Sequence, residues 1–185
     1  MQKSIINLSI AAVLGLAAIS AQAASTGTIT FNGELTDTTC DVDVAGQGAS
    51  ATITLPTVGI NELSAAGNVS GRTAFNMNLT NCTVGTKGGH STVAAFFQPG
   101  STVDLGTGRL QNMTGTATNV SLQMRDASNS FAVINLGNTD QVTKTTYKSI
   151  TTGSAQLPYT VEYYAEDATT AGTVSSSVVY NLMYK

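Results

Sequence analysis

Residues 28–35, Thr-Ile-Thr-Phe-Asn-Gly-Glu-Leu, alternate between polar and apolar side chains as a half-buried strand does. Successive strand residues point to opposite faces, so Ile29, Phe31, Gly33 and Leu35 share one face. Gly33 is the exception on that face, because a glycine weakens a strand unless something approaches closely there. The stretch leaves two interpretations open: an ordinary first strand with a bulge, or a strand that pairs with another molecule.

The residues before this stretch have the pattern of a secretory signal. Lys3 supplies a positive start, Ile5–Ile19 is a mostly apolar run, and Ala21-Gln22-Ala23 is a small-residue cleavage site. An uncleaved membrane anchor is the alternative, but the run is too short to favour a span. We therefore expect residues 1–23 to be removed and the exported chain to begin at Ala24.

Composition favours strands and turns over helices. Only 10% of the 185 residues are charged, the formal net charge is −3, and Thr, Ser, Gly, Ala and Val are abundant. No basic cluster occurs in the sequence, so nucleic acid is not expected as a partner. The length after removal of a signal fits one domain.

Two cysteines, Cys40 and Cys82, are the only ones in the sequence. In an exported protein such a pair predicts a disulfide, with two free thiols as the alternative. A metal site is not expected, because the single histidine, His90, follows the glycine-rich residues Gly85-Thr-Lys-Gly-Gly and is interpreted as a solvated loop residue.

Short alternating segments separated by turn residues recur along the rest of the chain and predict an antiparallel β-sandwich. Pro158 is expected to place the start of its strand at an edge or a bulge. The predicted strands cover residues 40–44, 51–55, 75–82, 92–97, 120–124, 131–136, 157–163 and 173–184, with Gly46–Gly48 as a turn and one helical turn within residues 57–71.

No combination of residues points to catalysis. The sequence contains neither a Gly-x-Ser-x-Gly elbow nor a phosphate-binding loop. The carboxylates of Asp41, Asp43, Glu166 and Asp167 are interpreted as solvated surface groups. We therefore expect no enzyme activity, and we assign no catalytic, cofactor-binding or metal-binding residue.

The order of these features resembles the pilin subunits of chaperone–usher fimbriae, close in general form to type 1 and type 3 major pilins. The resemblance rests on the leader, the alternating arm with Gly33, Cys40 and the later Asn81-Cys82 pair. At the end of the chain it rests on a penultimate tyrosine, Tyr184, and on Gly172, the fourteenth residue from the end. One departure is the polar run Ser175-Ser-Ser177 within the last predicted strand.

The resemblance implies an all-β fold: an incomplete immunoglobulin-like antiparallel β-sandwich completed by a donor strand from a neighbouring subunit. It divides the chain into a signal peptide at 1–23, a donor-strand extension at 24–39 and a sandwich domain at 40–185. The implied donor side chains are those of Ile29, Phe31, Gly33 and Leu35. The acceptor groove and chaperone-binding strand would comprise Gly172, Val174, Val178, Tyr180, Leu182 and Tyr184.

The function implied by the resemblance is that of a structural subunit. Copies would polymerise head to tail, by donor-strand complementation and exchange, into a surface filament that supports adhesion. Further implied partners are a periplasmic chaperone, which would hold the carboxylate of Lys185, an outer-membrane usher, and minor or tip pilins. The chain would be exported through the periplasm to the bacterial cell surface.

A second function of a different class is a complete, monomeric secreted sandwich that binds a carbohydrate or a host surface. Its support is the set of tyrosines that could stack on a sugar, namely Tyr147, Tyr159, Tyr163 and Tyr164. The chain has no tryptophan, and packing in the core or on a strand face is the preferred interpretation of these tyrosines.

Overall fold

A computed structural model describes residues 27–86 and 88–185. The predicted signal, residues 1–23, and the first three residues of the predicted arm lie outside the described residues. The chain divides into two units, residues 1–33 and 34–185, which are described separately. Within the described ranges, no helix has both the length and the apolar character needed to cross a membrane.

The second unit contains two antiparallel sheets, and the predicted all-β fold is confirmed. The strands are β1 Thr39–Val44, β2 Val69–Thr83, β3 Thr92–Phe97, β4 Val103–Asp104, β5 Arg109–Gln111, β6 Val120–Asp126, β7 Ala132–Val133, β8 Lys148–Ser149, β9 Ala155–Ala165 and β10 Tyr180–Tyr184. The larger sheet has the strand order β1-β2-β9-β6-β5-β4, with β7 paired to β6, and the smaller has the order β10-β3-β8. A 3-10 helix at Ile60–Leu63 and a helix α1 at Gln141–Lys144 lie in connections.

Apolar side chains from both sheets share one core. The predicted alternation of β2 is confirmed, because Met77 and Leu79 are almost fully buried. The rings of Phe97 from the smaller sheet and Tyr159 from the larger sheet meet edge to face, with centroids 5.2 Å apart. Strand β3 is apolar on both faces, as predicted, and lies between β10 and β8.

Strand β9 is central in its sheet from Tyr159 onward, but residues 155–158 pair only with β2, so the expectation that Pro158 lies where the start of its strand is an edge is confirmed. β9 pairs with β2 on one side and with β6 on the other. The Pro158 carbonyl accepts a hydrogen bond from the Ala127 amide, just beyond the end of β6. The amide and carbonyl of one antiparallel-strand residue face the same neighbour. A backbone amide hydrogen at position 158, which proline does not have, would therefore point beyond the end of β6.

The outer face of the larger sheet carries a buried carboxylate that the sequence pattern does not reveal. Glu162 in β9 is 1% exposed and accepts hydrogen bonds from Arg72 Nε at 2.7 Å, Arg125 Nε at 2.6 Å and Gln123 Nε2 at 2.9 Å. Burial by itself would raise the pKa of Glu162, but the hydrogen bonds from Arg125, Arg72 and Gln123 outweigh it and lower the pKa below its ordinary value.

We expect Glu162→Gln to lower the free energy of unfolding by about 3 kcal/mol at neutral pH, because two arginines lose their buried partner. The lowered pKa means that the native carboxylate stabilises the fold above the unfolded-state value of about 4.3 and loses this effect as the pH falls through the folded-state pKa. Urea denaturation at pH 7 and pH 3 measures both effects. Asp167→Asn, at an exposed carboxylate, is the matched control. Equal stability of Glu162→Gln and the native chain at pH 7 would contradict this account.

Candidate functional site: an open edge and an exposed arm

The last strand, β10, has one unpaired edge among the described residues. β10 pairs with β3 and is the end strand of its sheet. The odd-numbered residues bond to the β3 side: Val179 O accepts from the Gln98 amide at 2.8 Å, and Lys185 exchanges both backbone bonds with Thr92. The backbone groups of Tyr180, Leu182 and Tyr184 consequently point away from β3, because neighbouring residues of a strand face opposite sides.

The prediction of one continuous strand from Thr173 to Tyr184 is wrong for its first half. Residues 173–179 form no ladder, because the segment opposite them leaves β3 after Phe97 and continues into turns and the short strands β4 and β5. Isolated backbone hydrogen bonds hold residues 173–179 instead. Thr173 O accepts from the Ala117 amide at 3.1 Å, and Ser175 O accepts from the Met113 amide at 3.0 Å.

The face of this segment is nevertheless as predicted. Five of the predicted acceptor residues are half-buried against the core: Val174, Val178, Tyr180, Leu182 and Tyr184. Gly172 is exposed. A Cβ at that position would collide with the backbone of Thr116 and Ala117, so the close approach of that loop explains this glycine.

A second row of half-buried apolar side chains belongs to β1, β2 and the segment between them, and consists of Val42, Ile53, Leu55 and Phe75. Residues 51–55 were predicted as a strand, but they form none in the structure. A side-chain hydrogen bond connects the two sides: the Tyr180 hydroxyl donates to the Ala49 carbonyl at 2.7 Å. We call the half-buried apolar surface that these two rows form the groove.

Among the described residues, only side chains connect the two sides of the groove. No backbone hydrogen bond connects residues 39–55 with residues 173–185 in the described chain. Burial raises the pKa of Tyr180 and of Tyr184. The Ser176 hydroxyl, between Val174 and Val178, is an unsatisfied polar group: it is buried without a hydrogen-bond partner in the described part of the chain.

The predicted arm, residues 24–39, forms no helix or strand over residues 27–38, and its last residue, Thr39, begins β1. Ile29 is 78% exposed and Phe31 is 88% exposed, which is unusual for large apolar side chains. A Cβ added to Gly33 would meet none of the described atoms within 4 Å, and its φ is outside the left-handed region. The described structure therefore contains no reason for a glycine at this position.

The predicted disulfide between Cys40 and Cys82 is confirmed. It joins the second residue of β1 to the last part of β2, next to the groove. The tyrosines of the alternative function do not form one platform. Tyr159 is in the core, Arg109 lies 3.8 Å from the ring centroid of Tyr164, and Lys185 lies 4.0 Å from that of Tyr147.

These observations define the class of the protein as an immunoglobulin-like β-sandwich with an open edge strand beside its core. The type-1 fimbrial protein A family, FimA, matches residues 55–185. The major fimbrial subunit SMF-1 of Stenotrophomonas maltophilia is 44% identical over 93% of this chain and 99% of that protein. The F17 fimbrial protein of Escherichia coli is 36% identical over 94% of this chain and 95% of that protein.

The chain belongs to the type-1 fimbrial protein family and is a structural fimbrial subunit. A crystal structure of the P pilus rod subunit PapA supports the fold, with a TM-score of 0.61 and 22% identity over 79% of this chain and 99% of that one. The family resemblance drawn from the sequence is confirmed, and the monomeric carbohydrate-binding alternative is not favoured.

Proposed function

We propose that this chain is a major fimbrial subunit that polymerises by inserting its arm (residues 24–39), as far as Leu35, into the groove of another copy. One observation carries the proposal: a single chain presents both an apolar edge strand that has no partner among the described residues and an exposed alternating apolar segment. Each of these features alone is an aggregation risk, and pairing of the segment with the free strand edge would cover both. Addition of a strand to an exposed sheet edge is an established mode of protein recognition.

In the proposed joint, the backbone of the arm pairs with the free edge of β10, and Ile29, Phe31 and Leu35 enter the groove. Full burial of such a side chain contributes roughly 1.5–3 kcal/mol, so three contribute on the order of 5–9 kcal/mol before the cost of ordering the arm. A bound strand also places polar backbone atoms near the buried hydroxyl of Ser176, which has no partner in the described chain.

Arm and groove are different surfaces of one molecule, so the contact is heterologous. Repetition of a heterologous contact that does not close into a ring produces an open filament. Such a filament fits a chain whose relatives include a protein named as a major fimbrial subunit.

The open groove requires cover before assembly, because an exposed apolar edge pairs with other chains. We propose that a periplasmic chaperone covers it with a strand of its own and that an outer-membrane usher exchanges this strand for the next arm. The route would run through the periplasm to the cell surface, with minor or tip pilins as further partners. The predicted division into residues 1–23, 24–39 and 40–185 is part of this proposal.

The test uses an oxidised chain that begins at Glu34, together with a synthetic peptide of residues 24–39. At a peptide concentration of about 100 times Kd, binding adds about 2.7 kcal/mol, which is expected to raise the melting temperature by about 5–10 °C. The rise should saturate with peptide and disappear for a peptide with Gly33→Arg. An unchanged melting temperature, with a cooperatively folded chain throughout, would show that the sandwich needs no added strand.

A further inference from the structure

The root of the arm, Glu34–Thr38, is fastened to its own sandwich by four residues of the connection between β2 and β3. These are Gly85, Thr86, Gly88 and His90, which we call the socket. Thr38 is the anchor: it is 2% exposed, its hydroxyl accepts a hydrogen bond from the Gly85 amide at 3.1 Å and donates to the His90 carbonyl at 3.3 Å.

Further contacts hold the residues before Thr38. The carboxylate of Asp37 accepts hydrogen bonds from the Thr86 amide at 3.2 Å and from its hydroxyl at 3.4 Å. The Thr36 hydroxyl donates to the Gly88 carbonyl at 3.2 Å. A Cβ on Gly85 would collide with the Asp37 carboxylate, so a glycine is required for this close approach. The histidine predicted to be merely solvated therefore belongs to an organised contact.

Leu35 is exposed within this fastened segment. Its side chain is 97% exposed, although Thr36 on one side is hydrogen-bonded to the socket and Glu34 Oε1 on the other lies 3.5 Å from His90 Nε2. A large apolar side chain is thus displayed at a restrained position. This is the arrangement expected of an anchor residue that meets a partner without first being ordered.

We propose that the socket is part of the contact surface between successive copies of this chain and that it sets the direction in which the arm leaves. This inference rests on the proposed function. If Leu35 enters the groove of another copy, that groove comes within one residue of Glu34 and Thr36, both of which contact the socket. The socket of one copy must then lie at one end of the neighbour's groove.

The position of the socket indicates which end. His90 is followed by Ser91, whose amide donates to the Lys185 carbonyl at 2.9 Å, so the socket lies at the Lys185 end of its own last strand. A head-to-tail joint brings opposite ends of two copies together. The socket is therefore expected to face the start of the neighbour's acceptor segment, near Gly172.

Cysteine bridging in filaments of the full chain tests this placement. In the described residues Cys40 and Cys82 leave no free thiol, so only introduced cysteines react. Thr86→Cys combined with Ala171→Cys, both at exposed positions, is expected to yield a ladder of covalent oligomers under oxidation. Thr86→Cys combined with Asn129→Cys, another exposed position, is the control and is expected to give only background bridging.

Loosening the root tests whether the socket sets direction. Thr38→Val removes the anchoring hydroxyl and is expected to lower the bridging rate about fivefold at equal filament mass, as expected for the loss of about one net hydrogen bond. Thr38→Ser keeps the hydroxyl and should bridge at the native rate. If Thr38→Val does not fold, Asp37→Ala at an exposed position replaces it.

The outcomes separate the two proposals. The socket inference alone would be overturned by one combination of results. In that case filaments form normally and their subunits bind the arm peptide, but Thr86→Cys with Ala171→Cys gives no ladder of covalent oligomers. Equal bridging by Thr38→Val and Thr38→Ser would overturn its directing role. A chain that forms no filaments and shows no response to the peptide would instead overturn the proposed function.

Discussion

Filaments are expected to be absent when Gly33 is replaced by arginine, whereas the free energy of unfolding of the isolated chain should stay within about 0.5 kcal/mol of the native value. The substitution adds a long charged side chain to the face of the arm that carries Ile29 and Phe31. In the isolated chain the described atoms leave open space around Gly33, so the fold has no reason to change. In the groove the same side chain would have to be buried as an unpaired charge, which is strongly unfavourable.

Asn32→Arg is the matched control, because it adds the same charge to the adjacent residue on the opposite face of the arm. Electron microscopy of purified subunits, combined with sedimentation of filaments, compares the two variants directly. Long filaments from Gly33→Arg in amounts equal to those of Asn32→Arg would contradict insertion of this face of the arm.

Loss of the Cys40–Cys82 disulfide is expected to lower the free energy of unfolding by about 4 kcal/mol. The bond closes a loop with a sequence separation of 42, and in the chain-entropy model such a link restricts the unfolded ensemble. The loop includes the Ile53 and Leu55 side of the groove. Reduction should therefore also weaken binding of the arm peptide, because this side is otherwise held without sheet pairing over residues 51–55.

Guanidinium denaturation of the oxidised chain and of the double variant Cys40→Ser with Cys82→Ser measures the first effect without a reductant. Peptide titration of both proteins measures the second. A double variant with native stability would show that the noncovalent packing of β1 on β2 is sufficient. Native peptide affinity in that variant would show that the Ile53 side of the groove keeps its shape without the bond.

Much of the sandwich was predictable because strand alternation is a local signal. β1, β2, β3, β6 and β9 all lie where apolar residues alternate or form a short run. The first half of the predicted last strand follows the same alternation but lacks a straight partner strand. Its hydrogen bonds depend on the turns opposite it, near Met113 and Ala117, which no local pattern describes.

The site was predictable in its apolar members and not in its polar ones. The apolar rows follow from alternation, whereas the role of Thr38 depends on Gly85 and His90, which are far away in sequence. Glu162 is similar, because its burial arises from side chains on two neighbouring strands. A carboxylate between apolar residues of a strand looks solvated until the residues beside it in the sheet are known.

The disulfide next to the start of β1 has a mechanical consequence. In a filament joined through arms, tension passes through the arm root and its socket contacts to Thr39, the first residue of an edge strand. A pull on that end alone would open the bonds between β1 and β2 one after another. The link from Cys40 to Cys82 instead passes the load covalently to β2, which is paired on both sides. We therefore expect the inserted arm, and not the sandwich that carries it, to yield first when such a filament is stretched.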